Sequence, residues 1–242
     1  ELAARGYQLS SANSINIGRL VPQIVYYVYA YVKLLENGEI ADGEQINVTV
    51  PTGNFGNILA AYFAKQMGLP IAKLICASND NKVLYDFFRT GVYDRRREFI
   101  LTSSPSMDIL ISSNLERLIY LSAGSDPERT KKLMEELSKD GSYTVSEDMR
   151  ERMTDFAGGF ATQEENAEEI RRLYKNTGYL IDTHTGVASC VYRKYVRDTK
   201  DQTKTVIAST ASPYKFSRSV MEAVSGNVVG KGEFKVIEEL EK

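Results

Sequence analysis

The stretch from Ile46 to Ala77 constrains the fold more than any other part of the chain. It begins with a β-branched run, Ile46–Val50, and passes through Pro51, Thr52 and Gly53 into a helical pattern over about residues 56–67. Ile58, Leu59, Tyr62 and Phe63 are spaced to share one face of that helix, which Gly68 and Pro70 close. A second strand-like run follows at about 73–77. Strand, helix and strand within about thirty residues make a βαβ unit, whose right-handed crossover requires parallel strands covered by helices. The expected fold class is α/β, a mostly parallel sheet flanked by helices in three layers.

The rest of the chain is consistent with that class. Ser14 to about Leu35 suits one long helix, ended by Asn37 and Gly38. Residues of about 90–159 are richer in charge and turns, with a Ser/Pro cluster at Thr102–Ser106 and helices near 113–121 and 127–139, so an irregular or inserted region is expected there. Regular alternation resumes with a capping box, Thr162 and Glu165, opening a helix to about Asn176. Strand-like Tyr179–Asp182, a helix through Val187–Tyr195, a strand at Thr205–Ser209 and a helix after Pro213 complete the pattern. No repeat or linker divides residues 1–242, which are read as one unit.

Several partner classes are not expected. Thirty basic against 32 acidic residues leave a net charge of -2, and no basic stripe with interleaved aromatics is present, so nucleic acid is not an expected partner. The apolar stretch Leu20–Leu35 is broken by Pro22, Gln23 and Lys33 and carries Tyr26, Tyr27, Tyr29 and Tyr31, which suits a packed amphipathic helix rather than a membrane span. Cys76 and Cys190 sit in apolar runs without metal-ligand spacing, as small core residues of a reducing, cytoplasmic protein do. The opening ELAARGYQL has no initiator Met and reads like a chain entered midway.

The feature that carries chemistry is PTGNFGN, Pro51–Asn57, between the first strand and its helix. Backbone amides of a first helical turn have no internal partner, which favours an anion there. Gly53 and Gly56 let the backbone approach a ligand, and Asn54 and Asn57 add side-chain donors. Hydrogen bonds to a charged group contribute about 1.5 to 3 kcal/mol each, so three or four could hold a phosphate without a metal. A tight turn needing two glycines explains GxxG equally well. Asn57 and Ile58 stand where a Walker A loop needs Lys and Ser/Thr, and Leu59 occupies the third glycine position of the dinucleotide fingerprint.

PTGNFGN is similar to the phosphate loop of bacterial and fungal threonine synthases, and four further segments resemble that family in the same order: residues 10–32, PSMDILISSNLERL at 105–118, IDTHTGVA at 181–188 and STASPYKF at 209–216. The resemblance implies a tryptophan-synthase-like, fold type II pyridoxal-phosphate enzyme, of which this chain would be the C-terminal part. Carried over by position, Gly53, Asn54, Phe55, Gly56 and Asn57 would hold the phosphate of pyridoxal 5'-phosphate, and Thr210 would face the pyridine nitrogen, with Ser209 as the adjacent alternative. A hydroxyl suits an unprotonated ring nitrogen because it donates one hydrogen bond without adding negative charge. Asn13, Ser14 and Arg19 would bind substrate phosphate or order the site wall, although Asn13 or Ser14 could equally cap a helix.

The resemblance further implies conversion of O-phospho-L-homoserine and water into L-threonine and phosphate. The family's cofactor-bearing lysine lies upstream of the NSIN segment in a PheLysAsp motif, and no such motif occurs in these residues. No catalytic residue is therefore assigned; Lys215, after Pro213, suits a surface lysine. His184, the one histidine, is a candidate base, with a structural turn role the favoured alternative. Ser212 and Tyr214 stand where family members commonly have histidine and alanine. Two other functions remain open: a phospholyase acting on another phosphorylated amino acid, and an inert relative serving as a binding protein.

Overall fold

Hydrophobic residues alternate along the strands and send successive side chains to two different cores. In the computed structural model, which describes residues 3–8, 13–226, 228, 230 and 232–241, six strands form: β1 (Ile46–Pro51), β2 (Ile71–Ser78), β3 (Val92–Asp94), β4 (Ser142–Thr144), β5 (Phe156–Phe160) and β6 (Thr205–Ile207). The helices are α1 (Ile17–Leu20), α2 (Ile24–Glu36), α3 (Gly56–Gln66), α4 (Val83–Thr90), α5 (Leu115–Ser122), α6 (Pro127–Asp140), α7 (Glu147–Glu151), α8 (Gln163–Thr177), α9 (Thr183–Thr199), α10 (Ser217–Ser225) and α11 (Glu233–Leu240). Val48, Val50, Leu74 and Cys76 bury one face of the sheet with Ile58 and Leu59 of α3. Ile75 and Ala77 bury the other with Val187, Ala188 and Val191 of α9. Period-2 alternation thus produces the three layers that the α/β class requires. Burial pushes the Cys76 thiol up to about 12, which makes it an inert core group.

The main sheet has the order β5-β2-β1-β6 and is parallel throughout. Chain order runs from β1 to β2 to β5 in one direction, then returns past β1 to place β6 at the other edge. The order reverses between β1 and β6, and loops leaving the carboxyl ends of those two strands diverge. In open α/β sheets such a switch point is where ligands bind.

Several expectations need correction. The helix expected from Ser14 starts at Ile17, with Asn16 rather than Asn13 or Ser14 as its cap, accepting from the Gly18 N–H at 2.9 Å. Pro22 then forces a 3-10 turn at Val21–Gln23 before α2. On α2, Tyr27 and Tyr31 are buried, whereas Tyr26 and Tyr29 are exposed, so only half of the tyrosine stripe packs. Residues 10–12 of the family-like segment lie outside the described residues.

Tyr179–Asp182 is not a strand; Asp182 instead caps α9, accepting from the N–H groups of His184 and Thr185. The 90–159 region contains the antiparallel pair β3–β4 and also β5, a strand of the main sheet. The glycines of its FAGGF sequence serve packing. A Cβ on Gly159 would lie 2.4 Å from Val191 Cγ1, so only glycine lets α9 sit this close to the sheet.

Candidate functional site

The loop after β1 is shaped by the carbonyls it offers to the protein. Ser112 Oγ donates to the Gly53 carbonyl at 2.7 Å. The Asn114 side-chain amide and backbone N–H donate to the Asn54 carbonyl at 2.8 and 3.1 Å. Asn114 is fully buried, and its Nδ2 also reaches the Ser14 carbonyl at 3.1 Å while its Oδ1 accepts from Arg117. In a trans peptide the C=O and N–H point in opposite directions. Anchoring the Gly53 and Asn54 carbonyls on Ser112 and Asn114 therefore turns the N–H groups of Asn54 and Phe55 away, towards the open side of the loop.

Phe55 completes the turn at φ 64°, a left-handed conformation that costs a bulky residue on the order of 1 kcal/mol or more. Its side chain is buried, with ring centroids 6.0 Å from Phe88 and 5.7 Å from Phe156, and this packing offsets the strain. Phe55 thus offers a ligand its backbone and keeps its ring in the core. Among the described residues, none of the N–H groups of Gly53, Asn54, Phe55, Gly56, Asn57 or Ile58 donates to a protein acceptor. Six consecutive unpartnered amides at the start of α3, on residues that are buried or half-buried, are donors of the kind that suits an oxyanion. Asn57 adds to them: its Oδ1 accepts from the Tyr27 hydroxyl, leaving the amide nitrogen as its donating end.

The two glycines have different reasons. A Cβ on Gly53 would lie 2.3 Å from the backbone O of Ser106, so this position must be glycine for the Pro105–Met107 turn to support the loop. A Cβ on Gly56 would meet Asn114 Nδ2 at 3.4 Å, an ordinary contact.

Thr210 lies three residues beyond β6, as Gly53 lies two beyond β1. The strands are paired in register, Thr49 with Ile207, and the Ala208 N–H donates to the Thr49 carbonyl at 2.9 Å. The 53–57 loop and the 209–210 segment therefore sit at the carboxyl ends of neighbouring strands, on either side of the switch point. Thr210 is exposed, and Ser209 Oγ is hydrogen-bonded to Thr185 Oγ1 at 3.2 Å.

The remaining expected residues divide. The backbone of Ser14 is at the loop, through Asn114. Asn13 makes a local turn, its Oδ1 accepting from the Ile15 N–H at 3.0 Å, and Arg19 is exposed on α1. Lys215 is exposed, with its ammonium 5.6 Å from the centre of the Phe216 ring. His184 is 2% exposed and bonded at both ring nitrogens within the protein.

Sequence reasoning missed the supports: Ser112, Asn114, and the buried pair Asn79 and Asn81. Asn79 donates to Thr102 at 2.9 Å and to Asp108 at 2.7 Å, and Asn81 donates to the Ile100 carbonyl at 2.7 Å, fixing the segment that leads to the 105–107 turn.

This arrangement defines an open parallel α/β protein with a loop of unpartnered backbone donors at the topological switch point. Residues 185–242 match the family described as "Threonine synthase, C-terminal". Over 90% of its length the chain is 45% identical to Threonine synthase-like 1 of Macaca fascicularis, of which it covers 29%. It is 38% identical to threonine synthase of Saccharomyces cerevisiae, across 91% of this chain and 45% of that protein. The crystal structure of pyridoxal-phosphate-bound threonine synthase from Brucella melitensis superposes with a TM-score of 0.83 at 38% identity, covering 97% of this chain and 48% of that one. Along nearly its whole length the chain is similar to threonine synthases, and it spans less than half the length of each of these relatives. No helix among the described residues is long and apolar enough to cross a membrane.

Proposed function

We propose that this chain is the phosphate-anchoring part of a pyridoxal-phosphate lyase, a threonine synthase that converts O-phospho-L-homoserine and water into L-threonine and phosphate. The observation that carries the cofactor reading is the run of six unpartnered amides, Gly53–Ile58, at the switch point of the sheet. Its donors fit the phosphate of pyridoxal 5'-phosphate, and the adjoining Thr210 hydroxyl, or Ser209 beside it, fits the ring nitrogen. When bound, the cofactor supplies the electron sink that acidifies the α and β carbons of an amino acid. This chain's own contribution is to hold the phosphate with Gly53, Asn54, Phe55, Gly56 and Asn57 and to present a neutral hydroxyl to the ring. Asn13, Ser14 and Arg19, at the α1 end of the same region, are assigned to the substrate's phosphate. The buried free cysteines Cys76 and Cys190 suit a reducing compartment, and cytoplasm is the proposed location.

The 45% identity to a protein named Threonine synthase-like 1 favours one second reading, a related phospholyase acting on another phosphorylated amino acid. Phosphate release separates the two. The chain alone, without a PheLysAsp segment, is expected to release none from O-phospho-L-homoserine. Joined to a lysine-bearing N-terminal half, it is expected to release phosphate from that substrate in preference to O-phosphoserine. Preference for another substrate would establish the second reading, and turnover by the chain alone would overturn the assignment of the nucleophile to another segment.

A further inference from the structure

The Asp182–His184 pair joins the two ends of the site. Asp182 Oδ1 caps α9 through the His184 N–H at 2.8 Å and also lies 3.1 Å from His184 Nδ1. Its other oxygen accepts from the Thr185 hydroxyl, which is bonded in turn to Ser209. On the far side of the imidazole, Nε2 accepts from the Ser106 N–H at 3.2 Å. Ser106 belongs to the turn whose carbonyl fills the space where Gly53 would carry a Cβ. One histidine and its carboxylate therefore tie the support of the 53–57 loop to the 209–210 segment.

The bonds dictate the charge state. An imidazole nitrogen that accepts from a backbone N–H must keep its lone pair, so the proton sits on Nδ1, facing Asp182, and the ring is neutral. A second proton would turn Nε2 into a donor opposite the Ser106 donor and remove the only side-chain acceptor of the Ser106 N–H among the described residues. The charged groups on the surrounding elements do not substitute for it. Asp108, on the 105–108 segment, is bonded to Asn79 and Thr102, and Lys215 lies over the far ring, Phe216, which packs 4.7 Å from the imidazole.

We propose that His184, oriented by Asp182, is a positioning residue that fixes the spacing between the phosphate loop and the Ser209–Thr210 segment, and that loss of its bond to Ser106 releases the loop and weakens anion binding. The ligand rests on the cofactor reading above; the bonding does not.

The test therefore has one readout without ligand. Amide exchange of Ser106 and of residues 53–57, corrected for intrinsic rates, is measured by NMR in the wild-type chain, in His184→Leu and in His184→Gln. The nitrogen shifts of His184 are expected to report the Nδ1–H tautomer. His184→Leu removes the acceptor of the Ser106 N–H and should lower protection at Ser106, with residues 53–57 following, whereas His184→Gln keeps an acceptor and should restore part of it. In parallel, pyridoxal 5'-phosphate affinity is expected to fall about 2- to 10-fold in His184→Leu, the effect of one hydrogen bond, and by less in His184→Gln. Wild-type protection in His184→Leu, an Nε2–H tautomer, or equal losses in the two variants would each overturn the proposal. Absence of any pyridoxal phosphate binding would sink the cofactor reading and leave the amide result to decide the positioning role.

Discussion

Replacing Asn114 with alanine tests whether the loop is held from behind. The side chain makes three hydrogen bonds in a fully buried site: to the Asn54 carbonyl at 2.8 Å, to the Ser14 carbonyl at 3.1 Å, and from Arg117 at 2.8 Å. The two neutral bonds contribute about 1 kcal/mol each, and the bond from Arg117, on a half-exposed side chain, adds on the order of 1 kcal/mol. The Asn54 carbonyl keeps its bond to the Asn114 backbone N–H, so the total for Asn114→Ala comes to about 3 kcal/mol, or a fall in Tm of roughly 6–12 °C for a chain of this size. Asn114→Asp preserves the volume but turns a carboxylate towards two carbonyl oxygens, so it should cost at least as much. Thermal unfolding followed by circular dichroism measures both, with Asn176→Ala on the exposed end of α8 as the control expected to stay within about 1 °C. Asn114→Ala within about 2 °C of wild type, or Asn114→Asp more stable than Asn114→Ala, would refute the reasoning.

Three further outcomes follow from the same contacts. Gly53→Ala forces a backbone shift against Ser106 and should weaken pyridoxal phosphate binding at least tenfold by calorimetric titration, whereas Gly56→Ala, meeting Asn114 at 3.4 Å, should leave stability within about 0.5 kcal/mol, as urea unfolding measures. Gly159→Ala drives a methyl group into buried Val191 and should lower stability by about 1–3 kcal/mol in the same assay. Burial raises the carboxyls of Asp182 and Glu169, but the hydrogen bonds they accept, from His184 and Thr185 and from Arg172, Ser189 and Arg193, outweigh it and hold both below their ordinary values. Their stabilisation is therefore complete above the unfolded carboxylate range, about pH 4, and is lost as pH falls through the folded values. The urea midpoint should hold steady down to about pH 5 and drop below about pH 4, with a shallower drop in Glu169→Gln.

What the sequence makes legible depends on how local the cause is. The β1–α3–β2 unit is readable because strand period, helix period and the Gly68 stop all lie within the segment itself. Likewise α6 is announced by its Asp126 cap and Pro127 at the first helical position, and α8 by its capping box. FAGGF hides a central-sheet strand because its glycines answer to Val191, about thirty residues away in the chain. Tyr179–Asp182 shows the reverse error: the residues are strand-like, but an aspartate ahead of Thr183 favours capping α9. The loop residues Gly53–Asn57 are legible from glycine spacing, whereas Ser112 and Asn114 bond to residues 59 and 60 positions away and carry no local signal of their own. They enter only through the family-like segment at 105–118, and the structure supplies the reason that segment accompanies the loop.

The proposed role of the Gly53–Ile58 amides is to bind the phosphate of pyridoxal 5'-phosphate. Titrating the chain by calorimetry with pyridoxal phosphate and then with pyridoxal tests it most directly, since the two differ only in the phosphate. Pyridoxal phosphate is expected to bind at least tenfold more tightly, about 1.4 kcal/mol or more, with inorganic phosphate competing and the difference lost in Gly53→Ala. Equal affinities for the two compounds, or a difference that survives Gly53→Ala, would contradict it.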